Sequence, residues 1–134
     1  MERRKLLIAS PETTVSEAAG RMADKQVGAI VIVEDGHLVG IFTERDALFR
    51  VIAKGLDPKD TRLADVMTKS PKTIGPDKSF GHAMLVMNEN RFRHLPVIED
   101  GKPIGIVSAR DAMDPDLEEF VAEEHRRKQF VASR

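Results

Sequence analysis

Two segments carry the groups best suited to chemistry. Gly40-Ile41-Phe42-Thr43-Glu44-Arg45-Asp46 and Gly105-Ile106-Val107-Ser108-Ala109-Arg110-Asp111 share one pattern. Each has a glycine, two apolar residues, a hydroxyl residue, and an aspartate three positions after the hydroxyl. In the plainest reading the hydroxyl caps a helix, and such caps are common where no ligand binds. The same atoms also suit a nucleotide. A helix N-terminus presents free N–H groups and the positive end of its dipole to a phosphate, and Thr43 or Ser108 adds a hydroxyl. The carboxylates of Asp46 and Asp111 only accept hydrogen bonds, and their two oxygens can take both hydroxyls of a ribose diol. Gly40 and Gly105 would let a ligand approach the backbone closely. Ribose and phosphate recognised together imply a nucleotide.

The segments belong to an internal repeat. With Gly40 set beside Gly105, an offset of 65 residues, Pro11 meets Pro76, Ala18 meets Ala83 and Met22 meets Met87. The blocks Glu34-Asp35-Gly36 and Arg45-Asp46-Ala47 recur as Glu99-Asp100-Gly101 and Arg110-Asp111-Ala112 without a gap. Each repeat reads strand, helix, strand, strand, helix. In the first, a strand over Leu6 to Ala9 precedes a helix capped by Thr14, with Glu17 completing a capping box. Val15, Ala18, Ala19, Met22 and Ala23 then fall at helical spacing. Ala29 to Val33 and Leu38 to Phe42 form a hairpin across Asp35-Gly36, and a second helix runs from Thr43 to Lys54. In the second, Thr73-Ile74 leads to a helix from Ser79 with Phe80, Ala83, Met84 and Met87 on one face. A hairpin over Leu95 to Ile98 and Ile104 to Val107 follows, then a helix from Ser108. These patterns divide the chain into repeat one (6–54), a linker (55–67) in which Thr61 caps a short turn, repeat two (68–114) and a C-terminal tail helix (115–134). The tail places acids first and bases last, as the helix dipole favours. Neither unit can bury both faces of its sheet alone, so the two are expected to share one core. The fold class is α/β (α+β).

Composition narrows the function. The 134 residues are 41% apolar and 32% charged, with 21 bases against 22 acids and a formal net charge of −1. That balance argues against a general nucleic-acid binder. The lack of cysteine removes disulfides, thiolate metal sites and cysteine nucleophiles. No metal-ligand spacing links His37, His82, His94 and His125. Met22, Met84, Met87 and Met113 read as core filler. No apolar run approaches a membrane span, and Met1 to Ile8 is too short for a signal peptide, so a cytoplasmic location is expected.

The repeat, both Gly-to-Asp segments, the Asp65-Val66-Met67-Thr68 lead-in and the strand around Leu95-Pro96-Val97 closely resemble a tandem pair of CBS domains, named for cystathionine beta-synthase. The likeness spans about Leu6 to Asp114; in the first repeat Arg3-Arg4-Lys5 replaces the Val-Met-Thr lead-in. It implies two βαββα units in pseudo-two-fold arrangement with two clefts between them. It also implies a regulatory module that is not itself an enzyme and binds AMP, ADP or ATP, or in some members S-adenosylmethionine. Carried over position by position, Asp46 and Asp111 would hold ribose and Thr43 and Ser108 the phosphate side. Ile8 and Thr73 would lie near adenine, Arg93 and His94 would contact phosphate, and Arg45 and Arg110 are further candidates for that role.

Two more expectations follow. A homodimer is expected from apolar helix surface at Leu48, Val51 and Ile52 and at Ala83, Met84 and Met87, which face either out of the other helix pair or into it, with Leu117, Phe120, Val121 and Phe130 of the tail also able to pack across subunits. The cleft on Ser108 and Asp111 is expected to bind more tightly, because its repeat carries Arg91, Arg93 and His94 where repeat one has Gln26, Gly28 and Ala29. Phosphates can cross between neighbouring clefts, which would hand Arg93 to the other site. Against the sensor stand a dimerising scaffold whose Thr/Ser-to-Asp segments only cap helices, and an enzyme acting on a nucleotide, for which no nucleophile and base occur in a recognisable arrangement.

Overall fold

The architecture comes from a computed structural model, which describes residues 6–110. Asp111, Met113 and the tail helix expected over 115–134 lie outside the described residues.

A four-stranded sheet has the order β1-β2-β3-β4. Its strands are β1 (Ile8–Ala9), β2 (Ala29–Glu34), β3 (His37–Thr43) and β4 (Thr68–Lys69). β1 runs parallel to β2, while β2–β3 and β3–β4 are antiparallel. Helix α1 (Val15–Lys25) starts at Thr14, whose hydroxyl accepts from the Glu17 N–H at 3.2 Å. Only Val15, Ala18 and Met22 of α1 are buried, the stripe that the helical spacing selects. The second repeat supplies α4 (Phe80–Asn90), capped by Ser79, and the hairpin β5 (His94–Glu99) and β6 (Lys102–Ser108). Ile74 bridges in parallel to Val97, much as β1 lies along β2.

The offset of 65 recurs in the backbone. Both hairpins turn through left-handed residues, Asp35 and Gly36 at φ 52° and 80°, Asp100 and Gly101 at 54° and 79°. That pair of positive φ values is the type I′ geometry that matches strand twist, and glycine adopts it without strain. Both strand pairs shift register at the same place, Ile32/Val33 and Val97/Ile98. The Glu44 N–H bonds the Gly28 carbonyl as the Ala109 N–H bonds that of Arg93, at 3.0 and 2.8 Å.

Four expectations need correction. The helix after Thr43 begins as α2 (Glu44–Asp46) and widens into a π segment (Ala47–Ile52), with Ala53 N–H bonded to the Leu48 carbonyl. Thr61 does not cap the following turn; its buried hydroxyl donates to the Asp57 carbonyl at 2.7 Å, and helix α3 (Leu63–Val66) has no side-chain cap. Among the described residues, buried side chains group into one cluster per repeat where one shared core was expected. The first centres on Ile30, Ile32, Phe42 and Leu63, the second on Phe80, Met87, Leu95 and Val107. The opposite face of β2 is covered as well, since Val31 is fully buried. Finally, Val51, Ala83 and Met87 are core residues, so they offer no surface to a partner.

The segment between the repeats is structural. Leu63, Val66 and Met67 belong to the first cluster, and β4 completes the first sheet although it opens the second repeat. The Leu38 N–H also bonds the Gly101 carbonyl at 3.0 Å, hairpin to hairpin. No helix among the described residues is long and apolar enough to cross a membrane.

Candidate functional site

Strand β3 delivers Thr43 to the mouth of a cleft of about 650 Å³. Asp46 follows one turn later and is 7% exposed. Its Oδ2 accepts from the Thr43 N–H at 3.0 Å and the Thr43 hydroxyl at 3.3 Å, while the Asp46 N–H donates back to Thr43 Oγ1 at 3.2 Å. This is a reciprocal capping box. Its Oδ1 takes the Thr68 hydroxyl at 3.3 Å and stands 3.5 Å from Arg50 Nε. Arg50 also donates to the Met67 carbonyl at 3.0 Å, which fastens the π segment to the start of β4. A carboxylate has about four lone-pair sites, and these four contacts take them up, so a ligand hydroxyl would have to displace the long contacts to Thr68 or Arg50.

The opposite wall comes from the second repeat. Arg91, Phe92, Arg93 and His94 line it, and Lys72 contributes from the segment after β4. The bases expected to serve Ser108 and Asp111 therefore face Thr43 and Asp46. The physical reason is the crossing of the repeats, which puts the start of β5 against the start of α2. His94 reaches both ways: Nε2 lies 3.0 Å from Glu44 Oε1, and Nδ1 lies 2.9 Å from Ser108 Oγ.

The other predicted residues scatter. Arg45 lines the cleft with its guanidinium 5.2 Å from the centre of the Phe49 ring, a cation–π contact. Arg110 donates to the Gln26 carbonyl at 2.6 Å, which ties the repeats together on an exposed edge. Ile8, half-exposed, pairs with Val31, and Thr73 precedes the bridge at Ile74; neither lines this cleft. Ser108 ends β6, and its partner Asp111 lies outside the described residues. Gly40 has a structural role in place of the expected ligand contact. A Cβ there would come within 2.5 Å of Met67 Sδ and 3.1 Å of the Thr68 carbonyl oxygen, so its bareness lets β4 close on β3.

Sequence reasoning missed Arg50, Lys72 and Glu44. Thr68 stood in the lead-in motif, but nothing there showed that it would meet Asp46.

The CBS domain family model matches residues 1–53 and 63–117. The CBS domain-containing protein CBSX3, mitochondrial, of Arabidopsis thaliana is 39% identical over 125 residues, which cover 90% of this chain and 61% of that protein. This chain thus spans less than two thirds of that relative's length. The solved structure of the CBS-domain containing protein ATU1752 from Agrobacterium tumefaciens matches with a TM-score of 0.75 at 32% identity, over 84% of this chain and 90% of that one. The CBS domain protein PAE2072 from Pyrobaculum aerophilum, complexed with AMP, matches with a TM-score of 0.79 over 91% and 95% of the two chains; at 24% identity this likeness concerns the fold.

Proposed function

The chain belongs to the CBS domain family, and from that premise we propose that it is a regulatory module, not an enzyme, that binds AMP, ADP or ATP between its repeats. The observation that carries this reading is the division of labour across the cleft. One wall offers the Thr43 hydroxyl and the Asp46 carboxylate, the other Arg91 and Arg93, with Lys72 beside them. Acceptors for a ribose thus face cations for a phosphate, and charge-assisted bonds to phosphate are about twice as strong as neutral ones. The AMP complex of the Pyrobaculum protein is an instance of this fold holding an adenylate.

The test is calorimetric and thermal titration with AMP, ADP, ATP and S-adenosylmethionine, with guanine nucleotides as the control for base selectivity. A ligand at one hundred times its dissociation constant stabilises by about 2.7 kcal/mol, which raises the melting temperature by several degrees. No heat and no shift with any adenine compound at millimolar concentration would favour the scaffold instead. That second reading has its own support: the Thr43–Asp46 box is complete without a ligand.

A homodimer forms part of the proposal. Leu48, Phe49, Ile52 and Leu56 are 51%, 53%, 69% and 42% exposed, a concentration of large apolar side chains on and just after one helical segment. Sedimentation should show a dimer at tens of micromolar that Ile52→Asp dissociates; a wild-type monomer at that concentration rejects it. The cytoplasmic location expected from the sequence stands beside a relative named as mitochondrial, and fractionation of the native protein decides between them.

A further inference from the structure

We propose that Glu44 is a specificity residue that holds His94 and must release it to a phosphate, so that it sets how strongly the cleft prefers polyphosphate ligands. The proposal deepens the nucleotide reading and rests on it for the identity of the anion.

Glu44 stands between the hydroxyl and the aspartate of the capping box, yet bonds to neither. Its carboxylate crosses to the other repeat and meets His94 Nε2 at 3.0 Å. The His94 side chain is 8% exposed and that of Glu44 56%, so a held ring meets a carboxylate that solvent can reach. An ionised carboxylate only accepts, so Nε2 carries the hydrogen and donates it. The other ring nitrogen is engaged by Ser108 at 2.9 Å, which fixes the orientation of the imidazole. Gly28 gives the carboxylate its seat: a Cβ at that position would collide with the Glu44 carboxyl group. Its counterpart at the offset of 65 is Arg93, so repeat one makes room for an anion where repeat two places a cation.

Glu44 is therefore a second anion, beside Asp46, in a cleft that also carries Arg45, Arg50, Lys72, Arg91 and Arg93. A phosphate oxygen accepting from His94 Nε2 would need the donor that Glu44 occupies, and would meet a like charge beside it. Each added phosphate charge increases that repulsion, whereas an uncharged nucleoside feels none of it. The exchange is feasible because Glu44, the partner that must let go, is 56% exposed and its charge is screened by solvent.

The experiment compares wild type with Glu44→Gln against three probes: ATP, adenosine and inorganic tripolyphosphate. Glutamine keeps the size and an acceptor and removes the charge. Glu44→Gln should bind ATP and tripolyphosphate about tenfold more tightly, the combined size of one close like-charge repulsion in water and a weak pair. Adenosine affinity should change by less than about twofold on the same reasoning. In a His94→Leu background, which removes the donor that would draw a phosphate to the side of Glu44, most of the gain should disappear. A gain undiminished there means general electrostatics and overturns the proposal, as does equal affinity of wild type and Glu44→Gln for the polyphosphates. The ring gives a second readout that needs no variant. In ¹⁵N-histidine-labelled protein the His94 Nε2 resonance should move on saturation with tripolyphosphate, and an unmoved resonance is fatal to the idea. If ATP and adenosine bind but Glu44→Gln changes neither, the gate fails and the nucleotide reading stands. If tripolyphosphate responds to Glu44→Gln while no adenine compound binds, the gate stands and the nucleotide reading fails.

Discussion

Alanine at Phe42 should cost about 3–5 kcal/mol of folding stability, the range for deleting a buried aromatic ring. Phe42 is fully buried on β3, in one cluster with Ile30, Ile32, Val51 and Met67. Those neighbours come from β2, the π segment and the inter-repeat connection, and several are held by backbone bonds that prevent collapse into the vacancy. A small domain has roughly 5–15 kcal/mol in total, so the variant should sit near the edge of folding. Phe80→Ala should act similarly through the second cluster, where Phe80 is 2% exposed. Each variant should still unfold in one transition, because β4 lies in the first sheet, Leu38 bonds Gly101, and Arg110 bonds Gln26 across the repeats. Urea denaturation followed by circular dichroism and by an extrinsic fluorophore checks both points. A loss below about 1 kcal/mol would mean the site relaxes far better than other core phenylalanines. Separate transitions for the two repeats would mean that the ties between them are weak.

The repeat made most of the fold legible. Aspartate followed by glycine between β-branched runs has one favourable hairpin geometry, so Asp35-Gly36 and Asp100-Gly101 located both turns. Thr14 and Ser79 marked the starts of α1 and α4 through their capping hydroxyls. What escaped was of two kinds. Local competition decided some cases: over six residues, α and π spacing place apolar side chains too similarly to separate, and Thr61 found a carbonyl to donate to before it could cap. Tertiary arrangement decided the others. Gly40 looks like a place for a ligand to approach until Met67 is seen packed against it. Arg91 and Arg93 look like partners of Ser108 until the crossing of the repeats sets them in one cleft with Thr43 and Asp46, while His94 bonds both Ser108 and Glu44. Spacing reports which residues share a strand or helix; it does not report which element of the other repeat they will face.

From that crossing we propose the opposite order of the clefts to the expected one, and the consequence for Asp46→Ala is large. Both repeats keep a hydroxyl and an aspartate, so ribose recognition cannot separate them. The cations can, and Arg91, Arg93 and Lys72 line the same cleft as Asp46. The first cleft is therefore predicted to be the tighter site for ATP. Each charge-assisted bond contributes about 1.5–3 kcal/mol, or roughly tenfold to hundredfold in affinity. Asp46→Ala should abolish the tighter phase of an ATP titration, whereas Asp111→Ala should leave it nearly intact. The same substitution also loosens the fold, because Asp46 accepts from the Thr43 N–H, the Thr43 hydroxyl and the Thr68 hydroxyl. Loss of such a cap costs about 0.5–2 kcal/mol, and that loss is expected whether or not a ligand binds. Stability alone thus cannot tell a sensor from a scaffold. Arg93→Ala provides the separation: its side chain is exposed and no capping box depends on it. It should leave the melting temperature of the free protein unchanged, weaken ATP about tenfold or more, and leave adenosine nearly unaffected. Tight ATP binding that survives both Asp46→Ala and Arg93→Ala but is lost in Asp111→Ala would place the stronger site in the second cleft and overturn this ordering.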